Sequence, residues 1–132
     1  MLFMAFGFLA AQARQEYYLR MVTCVIRPEQ LNELTAELDR GDLMVGMTVS
    51  DVRGFGRQNG QVDPAELSLE CDFQYHPKLK LEILVRRKDV DHLVETIVKS
   101  VRTGRIGDGK IVVYDAACVM RVRTGEKGRD AL

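Results

Sequence analysis

Apolar and polar positions alternate along this chain in short periodic segments, broken by glycine-rich stretches and one long polar run. Tyr17 to Ile26 is rich in aromatic and β-branched residues and stops at Pro28, which predicts a strand feeding a helix with proline in its first turn. Leu31, Leu34 and Leu38 then recur at helical spacing up to Gly41. Met47 to Arg53 reads as a second strand, closed by Gly54-Phe55-Gly56. Arg57 to Pro77 is polar and carries Gly60, Pro64 and Pro77, and an insert of about twenty residues in a compact domain marks a functional or disordered loop.

Lys78 to Val85 places Leu79, Leu81 and Ile83 on one face and Lys80 and Glu82 on the other, the pattern of a half-buried strand. Val90, Leu93, Val94, Ile97, Val98 and Val101 form one helical stripe, with Asp89, Asp91 and Glu95 early in it, where negative charge suits the helix dipole. Ile111 to Tyr114 is a short strand. Ala116 to Val122 is mainly apolar, and Arg123 to Gly128 reads as a solvated tail. The order strand, helix, strand, long loop, strand, helix, strand predicts an α+β, ferredoxin-like βαββαβ domain with helices on one face of one sheet. The other face needs a partner wherever it is apolar, so a homo-oligomer is expected.

With 132 residues the chain suits one domain. Nineteen basic and nineteen acidic side chains cancel, which removes any global field toward nucleic acid or an anionic membrane. Any anion site must be local. Tyr17, Tyr18 and Tyr114 lie on strands but form no RNA-binding aromatic pattern. Cys24, Cys71 and Cys118 have neither C-x-x-C spacing nor a nearby histidine pair, so a reducing cytoplasm without structural zinc is expected. Cys24 and Cys118 sit in apolar runs and read as core residues, while Cys71 lies in a polar stretch. Within residues 1 to 17, the apolar block Met1 to Ala13 ends in an A-x-A pattern like a secretory leader but lacks a positive n-region and is too short to span a bilayer. Residues 1 to 17 read as a poorly defined extension, with Met21 marking an alternative start near the domain.

The candidate chemistry centres on Thr103-Gly104-Arg105-Ile106-Gly107-Asp108-Gly109-Lys110-Ile111. Glycines let successive backbone N–H groups converge on an anion, and a lysine beyond them adds a mobile charge for the same oxygens. This is not a Walker A loop, because the spacing is wrong and Ile111 follows Lys110. Two readings stand: a phosphate-holding loop, and a glycine-rich turn joining helix to strand. Arg121 and Arg123, taken alone, read as solvated strand residues, and Glu82 with Lys80 as an exposed strand face. His76 and His92 are the only histidines, and neither makes a persuasive general base beside the loop. The chain therefore reads as a non-enzyme, with a slow nucleotide-hydrolysing enzyme as the rival reading.

Four blocks together carry a family resemblance: Gly46 to Gln58, Pro77 to Ile83, Thr103 to Ile111 and Arg121 to Glu126. In this order and spacing the chain resembles the PII nitrogen-regulatory signal-transduction proteins over Leu19 to Leu132. The resemblance implies a cytoplasmic homotrimer whose inter-subunit clefts bind ATP or ADP, with 2-oxoglutarate joining Mg-ATP. It implies a T-loop at about residues 55–77 that docks on a target protein, a B-loop at 102–110 and a C-terminal loop at 116–132. Regulation of an enzyme, transporter or other regulator is implied, in nitrogen metabolism or in another pathway that no longer senses 2-oxoglutarate. Stable membrane insertion and nucleic-acid binding are not.

By the same resemblance, Lys110, Arg121 and Arg123 surround the β and γ phosphates, where guanidinium forks make paired charge-assisted hydrogen bonds. Arg57 closes from the T-loop base, and Gly107, Asp108 and Gly109 offer backbone N–H groups. Thr48 and Glu82 match positions near the adenosine, Gly54 and Gly56 lie in the matching nucleotide block, and Gln58 and Lys78 match those that meet Mg-ATP and 2-oxoglutarate. No metal ligand other than Gln58, toward magnesium, is implied.

The T-loop departs from the family pattern. The tyrosine run Y-x-G-[AS]-E-Y of many members is absent, which argues against uridylylation, and Ser68 and Cys71 are weak modification candidates. Between Gln58 and Lys78 the loop holds Asp63, Glu66, Glu70 and Asp72 and no lysine or arginine, so a basic docking surface is expected on the partner.

Overall fold

The computed structural model describes residues 18–43, 46–55 and 75–132. Strand β1, Leu19–Ile26, runs into Arg27, whose extended backbone (φ −68°, ψ 140°) suits the residue before a proline. A 3-10 turn at Pro28–Gln30 then starts helix α1, Leu31–Arg40. The helix closes at Gly41, and Asp42 takes a left-handed φ of 55° as the Leu43 N–H donates back to the Leu38 carbonyl at 2.9 Å. β2, Met47–Gly54, and β3, His76–Arg86, form an antiparallel pair, followed by helix α2, Val90–Val101, and β4, Ile111–Asp115.

The sheet order is β2-β3-β1-β4 with every neighbouring pair antiparallel, the ferredoxin-like arrangement that the alternation predicts. Its core-facing side carries Val22, Cys24 and Ile26 from β1 and Leu79, Leu81, Ile83 and Val85 from β3. Leu34 and Leu38 of α1 and Leu93, Ile97 and Val101 of α2 cover them. Each fully buried aliphatic side chain contributes about 1.5–3 kcal/mol relative to exposure, so this layer holds the helices on the sheet. The cross-strand register places Met21, Thr23, Val25, Thr48, Ser50, Val52, Lys80, Glu82, Leu84, Val112 and Tyr114 on the opposite face. There Val112 and Tyr114 remain 54% and 47% exposed, an apolar edge on the face opposite α1 and α2.

Three expectations change. Pro77 belongs to β3, opposite Arg53, rather than to the loop. It lies beyond Leu79, the last residue of β3 paired with β1, where one flank of the strand is free and a missing N–H is tolerated. Cys118 is partly exposed, because the chain leaves the sheet at Ala116 instead of continuing as a core strand. Cys24 is buried as expected, and desolvation pushes its thiol pKa up to about 11. The tail is not simply solvated: Met120 bridges Lys127, the Gly128 N–H donates to the Val119 carbonyl at 3.0 Å, and Gly128 is buried. Arg129 then lies over the Tyr18 ring, 5.9 Å from its centroid. Residues 1–17 lie outside the described residues. Among those described, no helix is long and apolar enough to cross a membrane.

Candidate functional site

The glycine loop is built around its own acid. Asp108 accepts hydrogen bonds from the backbone N–H groups of Thr103 (2.8 Å) and Gly104 (2.9 Å) and from the Thr103 hydroxyl. Arg27, at the end of β1, forms an ion pair with the same carboxylate and donates to the Ile106 carbonyl at 2.9 Å. The Thr103 and Arg27 hydrogen bonds hold the Asp108 carboxyl well below the usual carboxylate range. The one acid in the loop is thus occupied from inside, and Lys110 beside it is exposed with no ion-pair partner among the described residues.

Two further contacts seat the loop on the sheet. Gly109 has φ +94°, and a Cβ there would stand 1.9 Å from the Val25 carbonyl oxygen, so only glycine permits this approach. Lys78, 8% exposed, donates to the Gly107 carbonyl at 2.9 Å. Burial lowers the Lys78 pKa, aided by the Arg27 charge and opposed by Glu29 and Asp108. Gly54, at the end of β2, leaves room for the Lys78 stem, whose Cγ would lie 3.3 Å from an added Cβ. One end of the sheet therefore gathers Gly54, Lys78, Gly107, Asp108, Gly109 and Lys110.

Thr48, Glu82 and Arg121 gather elsewhere. Thr48 pairs directly with Glu82 across β2 and β3. Both line a cleft of about 570 Å³ with Met21, Met47, Leu84 and Arg121. Arg121 is fixed there by the Leu132 carbonyl and by Glu126 at 3.6 Å. The turn beneath it is closed by the Gly125 N–H to the Arg121 carbonyl at 2.8 Å, with Gly125 at φ +72°. Arg123 is exposed on that turn.

The residues assigned to one nucleotide thus fall into two groups on this chain. The Lys110 carbonyl meets the Val25 N–H, whereas Arg121 shares its cleft with Met21, and those β1 positions are four residue steps, about 13 Å, apart. Gly56, Arg57, Gln58, Ser68 and Cys71 lie outside the described residues. Sequence reading missed Arg27. Its one local cue is a cation placed between a strand and Pro28, and the partners that give it meaning are about eighty residues away in the chain.

Comparison with known proteins bears on this arrangement. The Nitrogen regulatory protein P-II family profile matches residues 19–126. The chain is 42% identical over 115 residues to the Nitrogen regulatory protein P-II of Pasteurella multocida, covering 86% of this chain and all of that protein. It is 45% identical over 114 residues to that of Synechocystis, again covering 86% and all of the relative. Among solved structures, it resembles Arabidopsis thaliana PII bound to citrate (TM-score 0.72, 35% identity, 88% of this chain and 94% of that one). It also resembles a Bacillus subtilis GlnK–ATP complex (TM-score 0.71, 33% identity, 87% and 96% covered). A match of this extent places the chain in the P-II nitrogen regulatory protein family.

Proposed function

We propose that this chain is a non-catalytic signal-transduction regulator that binds ATP and ADP between the subunits of a homotrimer and controls a target protein through its long loop, in nitrogen or related metabolism. The observation that carries the proposal is the separation of Lys110 from Arg121. Cations that grip one phosphate chain must converge within hydrogen-bond reach of it, and here they sit toward opposite ends of one sheet. A neighbouring copy that sets its Arg121 and Arg123 against the loop of this one completes the site. The apolar residues left exposed on the open face, Val112 and Tyr114, supply a surface for such an assembly. Similarity to a GlnK–ATP complex supports the nucleotide.

A carboxylate effector such as 2-oxoglutarate, arriving with Mg-ATP, suits Lys78, a buried cation whose hydrogen-bond acceptor is a backbone carbonyl. Similarity to a PII bound to citrate supports a carboxylate ligand. Magnesium would arrive with the nucleotide phosphates, with Gln58 toward it as the family resemblance implies. Effectors can signal only by favouring one loop conformation over another, and the acidic loop sequence favours a basic surface on the partner. Calorimetry with ATP and ADP, each with and without magnesium and 2-oxoglutarate, tests the reading. Saturable nucleotide binding by a trimer is expected, and a folded trimer that binds neither nucleotide overturns it.

A further inference from the structure

We infer that Arg27 is a positioning residue for phosphate recognition, neutralising Asp108 and holding the Thr103 to Ile111 loop in the shape that presents Lys110; this rests on the nucleotide reading above. The Arg27 side chain is 11% exposed and the Asp108 side chain 23%, so the pair is largely withdrawn from solvent. The guanidinium reaches three acceptors of the loop: the Asp108 carboxylate, the Ile106 carbonyl at 2.9 Å and the Thr103 hydroxyl at 3.4 Å. A planar fork is needed to serve acceptors on both limbs of the turn at once, which an ammonium group cannot match.

Electrostatics makes the contact more than a staple. Asp108 sits between Gly107 and Gly109, two residues before the exposed Lys110, and a carboxylate there opposes any phosphate that approaches Lys110. Thr103 and Gly104 are neutral donors, so they orient Asp108 without cancelling its charge. Lys78 faces the same loop but donates to the Gly107 carbonyl, and Glu29 is the other acid whose charge reaches this cluster. Arg27 is the cation paired directly with Asp108. Removing it leaves a negative charge inside a loop built to receive one.

The test uses R27Q, D108N and the double variant, with two readouts. Hydrogen exchange at the Thr103 and Gly104 amides of the nucleotide-free protein should accelerate in R27Q, and ATP affinity should fall about tenfold or more, the range of one charge-assisted contact. ADP should lose less and adenosine little. R27Q/D108N should bind ATP more tightly than R27Q, because the stranded carboxylate is gone, an outcome a purely structural role does not produce. Unchanged exchange in R27Q, or a double variant no better than R27Q, overturns the proposal. Should R27Q not fold, R27K keeps the charge and loses the fork, and unaltered exchange in R27K overturns the clamp equally. A parent protein that binds no ATP overturns the nucleotide reading and the phosphate role together, while amide exchange still decides whether the clamp exists.

Discussion

Gly109 passes so close to Val25 that a Cβ on it would stand 1.9 Å from the Val25 carbonyl oxygen, and this contact fixes how the glycine loop meets the end of β1. The neighbouring backbone bond, from the Val25 N–H to the Lys110 carbonyl at 3.4 Å, depends on the same approach. Gly109→Ala should therefore destabilise the fold by about 2 kcal/mol or more and abolish nucleotide binding, since a positive φ and a backbone collision act together. Gly104, at φ +79° but facing open space, provides the control. Its alanine variant should cost only about 1 kcal/mol, the strain of the left-handed conformation alone. Urea denaturation of the two variants measures the difference, and equal losses would count against the collision.

Acid should remove the stability that the Asp108 carboxylate gives the loop. The folded-state value of Asp108 lies well below that of a free aspartate, about 3.9, so its stabilisation is fully present above that pH and is lost as pH falls toward the folded value. The denaturation midpoint of the parent should stay above that of D108N by a constant margin from about pH 5 to 7, and the margin should narrow progressively as the pH falls below about 4. A margin independent of pH down to the acid limit would exclude the ionised carboxylate as its source.

Separate chains should rescue one another. Lys110→Ala and Arg121→Ala each remove one cation of the proposed shared site, and neither homotrimer should bind ATP with parental affinity. After unfolding, mixing in equal amounts and refolding, about a quarter of the inter-subunit sites in random heterotrimers regain both cations. Calorimetry on the mixture should recover that fraction at full affinity. No recovery would place both residues in a site within one chain.

The open face of the sheet should be the assembly surface. Val112, opposite Thr23 and 54% exposed in the single chain, is remote from the helices that cover the other face. Val112→Asp should leave the far-ultraviolet circular dichroism unchanged while native mass spectrometry shifts from trimer to monomer, because a buried unpaired charge costs several kcal/mol. A persistent trimer would move the interface to another surface.

The elements themselves were legible because their signals are local. Leu31, Leu34 and Leu38 mark α1, Val90 to Val101 marks α2, and Leu79, Leu81 and Ile83 mark the buried face of β3, each by a periodicity read within one segment. Pro77 was misread for the same reason. Its tolerance depends on β1 having already ended beside it, a fact about a neighbouring strand. Lys78 starts a strand read as half-buried, with no local sign of its own burial, which follows from the loop that folds over it.

By itself, then, the sequence determined the strands and helices, the glycines that a tight loop requires, and the residue types able to hold phosphate, since each depends on near neighbours along the chain. Tertiary structure decided which of those residues meet. Strand order and register bring Arg27 to Asp108 across most of the chain and set Thr48 against Glu82. The course of β4 along β1 and the turn that follows it set Arg121 beside Met21, away from the Val25 end where Lys110 lies, and that placement is decided by how the C-terminal segment packs back on the sheet.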